Sequence, residues 1–262
     1  LKAGGAAEEK EKLRRTTEAR LKFLRAVIGG TASAKEAEMV VLDLLLRVGG
    51  IAGRERPNSA KLDEYLRGVE LVALWMALVK PPPSLRYKVC LDLLNAIDEG
   101  GAEKSTLALT ALTWEDRSIL KEKLVSFEFG ATPSGRKVAA AVLERLNDHL
   151  LINYGEGMPE INAETRVEHV LPVKPVVKYW DNHWPDEEDR AQWVHRLGNL
   201  VLLSRRATAK EKNGTFTKKK ERYQEEVWPL TISVSTCSEW KKAALEEQQE
   251  KLLGLCEVMW CL

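Results

Sequence analysis

Thr165-Arg166-Val167-Glu168-His169-Val170-Leu171-Pro172 and Leu197-Gly198-Asn199-Leu200-Val201-Leu202-Leu203-Ser204 are the two stretches whose reading decides the fold. Residues 161–171 alternate well enough for a short strand, with Val167 and Val170 inward, and Pro172 and Pro175 stop it because proline cannot donate to a ladder. Leu197 to Leu203 is a second, wholly apolar strand entered through Gly198. From Ser204 to Arg222 eight basic residues face two acidic ones, Glu211 and Glu221. Between the strands, 176–196 is rich in tryptophan, and Asp186-Glu187-Glu188 starts a short helix with acids in its first turn.

Upstream of this region the chain reads as helix throughout. Residues 7–28 begin charged and turn apolar at Leu21, Phe23, Leu24, Val27 and Ile28, so the second half of that helix docks. Gly29-Gly30 ends it, and Thr31 or Ser33 is suited to cap a second helix bearing Met39, Val40, Leu42, Leu45 and Leu46. A third helix spans Lys61 to Val79 and halts at Pro81-Pro82-Pro83. Leu85 to Ile97, Trp114 to Phe127 and Gly135 to Leu151 follow at helical spacing. At the far end, Glu239 to Val258 is a helix that docks back through Trp240, Leu245, Leu252 and Leu255. The expected fold class is therefore α+β and predominantly helical: a helical bundle over 1–157 that serves as scaffold, then a second domain over 158–262.

Composition narrows the function classes. With 262 residues, 44% of them apolar and 30% charged, the chain can bury a sizeable core as one large or two small domains. A net charge of +1 means that a nucleic-acid surface must come from local asymmetry, which the 204–222 stretch supplies. No apolar run is long enough to span a bilayer. The four cysteines form no CxxC pair and read as reduced thiols of a cytoplasmic protein. The start at Leu1, without an initiator methionine or signal pattern, reads as a portion of a longer chain.

Strand, loop, strand and basic helix, with an acid–histidine pair on the first strand, is the order that one-metal phosphodiester hydrolysis requires. Water attacking phosphorus needs a base within hydrogen-bond reach, and a neutral imidazole serves near pH 7. The leaving 3′ oxygen needs a hard cation, and Mg²⁺ takes oxygen from one or two protein groups, water and phosphate. Glu168 and His169 are adjacent, so on a regular strand they point to opposite faces; only a distortion of the strand, for which Pro172 is well placed, lets them converge. His149 reads as structural and His183 as surface.

Glu-His-Val-Leu-Pro, then His-Arg-Leu-Gly-Asn-Leu-Val-Leu-Leu-Ser, then Asn-x-x-Phe-x-x-Lys-Lys resembles the C-terminal domain of GmrSD-type restriction nucleases over about residues 160–230, extending to 262. That resemblance implies an HNH-type nuclease of ββα-metal fold, with a single Mg²⁺ or Mn²⁺, serving a modification-dependent restriction or phage-defence system. It implies DNA as partner, and an N-terminal nucleotide-using module in the same longer chain. By the same resemblance His169 matches the general base and Glu168 the acid beside it, a metal ligand. Asn199 matches the middle Asn of the catalytic pattern, which mainly braces the connection between the strands. His195 stands behind the base as an orienting group or meets a phosphate. Nine residues beyond Asn199, where the family pattern carries a metal-ligating Asn, this chain has Thr208, a weaker ligand; Asn213 is a second family Asn, five residues further on. Either Thr208 holds the metal through water, or Asn213 takes over, or the domain is weakened and serves as a DNA-binding or assembly module. Arg205, Arg206, Lys210, Lys218 and Lys219 are the expected contacts to the DNA backbone.

Overall fold

A computed structural model describes residues 2–48, 57–98, 112–156, 165–204 and 213–262. The chain divides into two compact units, residues 1–123 with 257–262, and residues 124–256.

The first unit is helical. α1 (Lys2–Gly30) and α2 (Ala37–Val48) pack on α3 (Ser59–Val79), and α4 (Pro83–Asp98) joins them. Asn58 starts α3 by accepting the Lys61 N–H on its side-chain oxygen, and Lys80 ends it in the left-handed conformation (φ 54°) just before the prolines. From Leu71 to Leu78 every residue of α3 is buried, which makes this helix the spine of the unit. Phe23, Leu24 and Val27 of α1 are buried as the apolar second half required. Two expectations are corrected here. Thr31 does not cap α2; its hydroxyl donates to the Val27 carbonyl at 2.8 Å, closing α1 instead. The buried face of α2 is Val40 and Leu44, one turn apart, while Met39, Leu42, Leu45 and Leu46 are exposed. α5 (Trp114–Ser126) follows, starting in the first unit. Among the described residues no helix is long and apolar enough to cross a membrane, and the four cysteines are free thiols.

The second unit is built around an antiparallel pair, β1 (Arg166–His169) and β2 (Leu200–Leu203), in which Glu168 stands opposite Val201 and His169 opposite Leu200. The strands are shorter than the sequence suggests: Leu197–Asn199 is a 3-10 turn, and 161–164 lie outside the described residues. All four β2 residues are buried because both faces of the pair are covered. α6 (Pro133–Asn153), capped by Thr132, packs against both strands, and its Val138, Val142 and Leu146 are buried. The rest of the core gathers Trp180 of α7 (Lys178–His183), Phe216 and Tyr223 of α9 (Phe216–Gln224), Val234 of α10 (Pro229–Val234), and Trp184, Trp240, Val201 and Leu203. α8 (Glu187–Trp193) starts at Asp186, whose carboxylate accepts the N–H groups of Glu188 and Asp189. Two of the core tryptophans keep their indole N–H engaged: Trp184 donates to the Trp240 carbonyl at 2.7 Å, and Trp180 to that of Gly214 at 3.0 Å. α11 (Lys242–Trp260) presses on the 3-10 turn so closely that a Cβ at Gly198 would meet the Gln249 backbone at 2.9 Å. Only glycine fits there. The chain is thus α+β and predominantly helical.

Candidate functional site

The end of β1 organises the site. His169 is half-buried, and its Nε2 lies 3.3 Å from Nδ1 of His195, with the two rings edge-on at 5.3 Å. His195 reaches this place because α8 ends just before it. Its carbonyl accepts the Gly130 N–H at 3.1 Å. The Gly130 carbonyl in turn accepts from Arg136 at 3.0 Å, on the first turns of α6. Gly130 is the floor beneath the histidines: a Cβ there would stand 2.3 Å from His169 Nε2 and 3.0 Å from His195 Nδ1. Its role is close approach, since its backbone is not in the left-handed region.

Partial burial lowers the pKa of His195, the Glu128 carboxylate opposes that shift, and the Arg136 guanidinium adds to it. His195 is therefore held neutral at pH 7. When the neutral His195 carries its proton on Nε2, its Nδ1 accepts from the Nε2–H of His169; the opposite tautomer makes His195 the donor.

Glu168 is half-buried. Its charge acts on two residues of α9: it opposes the burial that lowers the pKa of Lys219 and adds to the burial that raises that of Tyr223. Among the described residues no group of three or more His, Cys, Asp or Glu could enclose a metal ion. A single carboxylate is nonetheless the donor that Mg²⁺ accepts from a protein while water and phosphate fill its other positions. Glu168 fits that requirement in kind. Asn213 is half-buried in the turn that leads to α9, and Thr208 lies outside the described residues.

Asn199 is fully buried and its amide is completely engaged. Its oxygen accepts from the Leu171 N–H (2.8 Å) and the Trp240 indole (3.1 Å); its nitrogen donates to the carbonyls of Leu171 (3.0 Å) and Val194 (2.8 Å). It ties the exit of β1 to the segment carrying His195, and no polar atom remains to meet a substrate. These four hydrogen bonds make it a brace between the two segments.

The expected DNA contacts separate. Lys218 is exposed on α9. Arg205, Arg206 and Lys210 lie outside the described residues. Lys219 does not reach solvent: it is 5% exposed, and its ammonium donates to the carbonyls of His169 (2.7 Å) and Val170 (2.9 Å). Burial lowers its pKa to about 7, against the pull of Glu168. Helical period explains the difference, because residues 216, 219 and 223 share a face, and Phe216 and Tyr223 are core. Gly130 and Arg136 escaped the sequence reading altogether, since Gly130 lies in the Gly-Ala-Thr-Pro-Ser-Gly turn between two expected helices and Arg136 at the start of the second.

Residues 114–255 match the family model of GmrSD restriction endonucleases, C-terminal domain. No curated protein and no solved structure matches the chain. The match spans more than half of the chain and takes in both strands, the histidine pair and α9; the chain belongs to the family of GmrSD restriction endonuclease C-terminal domains.

Proposed function

We propose that the second unit is the cleavage domain of a DNA endonuclease or nickase of HNH type, with a ββα-metal core formed by β1, β2 and α9. Family membership implies a restriction-type nuclease and hence DNA as substrate. The observation that carries the finer reading is the His169–His195 pair at the end of a strand whose preceding residue is a carboxylate.

In this reading His169, with its Nε2 proton directed at His195, has its lone pair on Nδ1 and removes the proton from a water as that water attacks phosphorus. The new P–O bond forms in line with the breaking P–O3′ bond. His195 and Gly130 hold the imidazole in place, which converts binding into rate through orientation. Glu168 would hold a single Mg²⁺ or Mn²⁺, with Thr208 or Asn213 as a further ligand. Bound there, the cation would supply charge stabilisation to the leaving 3′ oxygen. Lys218, with Arg205, Arg206 and Lys210, would neutralise backbone phosphates without reading sequence. The domain would act in a cytoplasmic restriction or phage-defence protein whose N-terminal module uses a nucleotide.

His169→Ala tests this reading. It abolishes cutting and leaves DNA binding within a few-fold; retained cleavage removes His169 from the mechanism. Thr208 favours a second reading, a DNA-binding or assembly module that has lost its metal. Calorimetric titration with Mn²⁺ separates the two, since a degenerate site gives no heat at millimolar metal and the nuclease site does.

A further inference from the structure

Lys219 is a charged side chain in a place where stability alone favours an apolar one. It lies on the core face of α9 between Phe216 and Tyr223, with its ammonium 5.9 Å above the Trp180 ring. Burying an ammonium is unfavourable unless fixed dipoles replace the lost water. Here the dipoles are two backbone carbonyls, His169 at 2.7 Å and Val170 at 2.9 Å. In a regular strand successive carbonyls point to opposite edges. Two successive carbonyls meeting on one nitrogen mean that the chain leaves strand geometry at the Val170 carbonyl, just past the end of β1. β1 ends at His169, the Val170 N–H still reaches its register neighbour, the Asn199 carbonyl, at 2.9 Å, and the chain bends from there. The ammonium thus fixes the backbone at the end of the strand that carries His169.

We propose that Lys219 is a positioning residue for the cleavage reaction, its ammonium pinning the backbone bend that aims the His169 imidazole. The proposal rests on the reading of His169 as the base. Glu168 and the two carbonyls favour the ammonium against the cost of its burial, and a methionine leaves both carbonyls without that donor.

The test uses the full chain with Lys219→Met, Lys219→Gln, Lys218→Ala and His169→Ala. For each, single-turnover cleavage of a labelled duplex is measured with Mg²⁺. Affinity for the same duplex is measured in EDTA across a salt series. Lys219→Met is expected to lower the cleavage rate about 10- to 100-fold, the scale of an ångström-sized misplacement. Its affinity and the slope of log Kd against log salt remain those of the wild type. Lys219→Gln, which keeps one neutral donor, falls between. Lys218→Ala is the contrast, losing about one unit of salt slope, as a phosphate contact does. A loss of salt slope and affinity in Lys219→Met with an unchanged rate overturns the proposal and makes Lys219 a DNA contact. A wild-type rate in both Lys219 variants overturns it as well. Should Lys219→Met fail to fold, Lys219→Gln decides by the same two readouts. Cleavage surviving in His169→Ala instead refutes the base assignment, a different failure from that of Lys219.

Discussion

Replacing Gly130 by alanine adds one carbon in the most crowded part of the site. The new Cβ would stand 2.3 Å from His169 Nε2, and 3.0 Å from both His169 Cε1 and His195 Nδ1. Ordinary contact begins near ~3.5 Å, so the imidazole must retreat by about 1 Å or the loop must lift. What the methyl meets is the tip of a side chain, which can swing. The stability cost therefore sits at the low end of overpacking, about 1 kcal/mol. The catalytic cost is larger, because a base displaced by about 1 Å loses roughly 100-fold in rate, equivalent to about 2.7 kcal/mol of barrier. Gly130 touches no group assigned to DNA, so affinity is unchanged. Single-turnover cleavage of a labelled duplex, with urea denaturation and DNA binding measured on the same preparation, gives all three quantities. A Gly130→Ala protein that cleaves at the wild-type rate refutes the assignment of the His169–His195 pair as the cleavage centre. A loss of several kcal/mol in stability refutes the argument that only a side-chain tip is in the way.

Two further outcomes follow from the same geometry. His195 has a pKa lowered from 6.5 in the folded chain. As pH falls below about 6.5 the unfolded chain binds a proton that the folded one refuses. Stability contributed by the neutral ring is therefore full above that pH and is lost on acidification. His195→Gln lacks this titration, and its denaturation midpoint should fall less than the wild type's between pH 7 and pH 5; parallel curves would contradict the burial argument. Asn199→Ala leaves two carbonyls, a backbone N–H and an indole without their partner and should cost about 3–5 kcal/mol by urea denaturation. A cost under about 1 kcal/mol would mean that the amide is not the brace.

Much of this was legible in the residues, and the exceptions have physical reasons. The helices of the first unit announce themselves by apolar spacing and by hard stops such as Pro81-Pro82-Pro83, and their bounds agree within a few residues. The face of α2 was not legible, because seven apolar side chains in the eight residues 39–46 fit more than one stripe, and only Val40 and Leu44 of them are buried. Both strands were visible, though the 3-10 turn at Leu197–Asn199 hides inside an apolar run. In the site, Glu168, His169 and Asn199 stand out by pattern. Lys219 was hidden by its neighbours: three successive lysines look like one basic surface, while a helix turns each by about 100° and sends the middle one toward Phe216 and Tyr223. Gly130 left no local signal, since its requirement comes from side chains that the fold brings from 39 and 65 residues downstream.

The most direct test of the account is cleavage of supercoiled plasmid by the full chain and by His169→Ala, each with Mg²⁺ and with EDTA. The account predicts nicking by the wild type in Mg²⁺, none in EDTA, and none by a His169→Ala protein that still binds the plasmid. Cleavage by His169→Ala at the wild-type rate, or wild-type cleavage that survives EDTA, would contradict it.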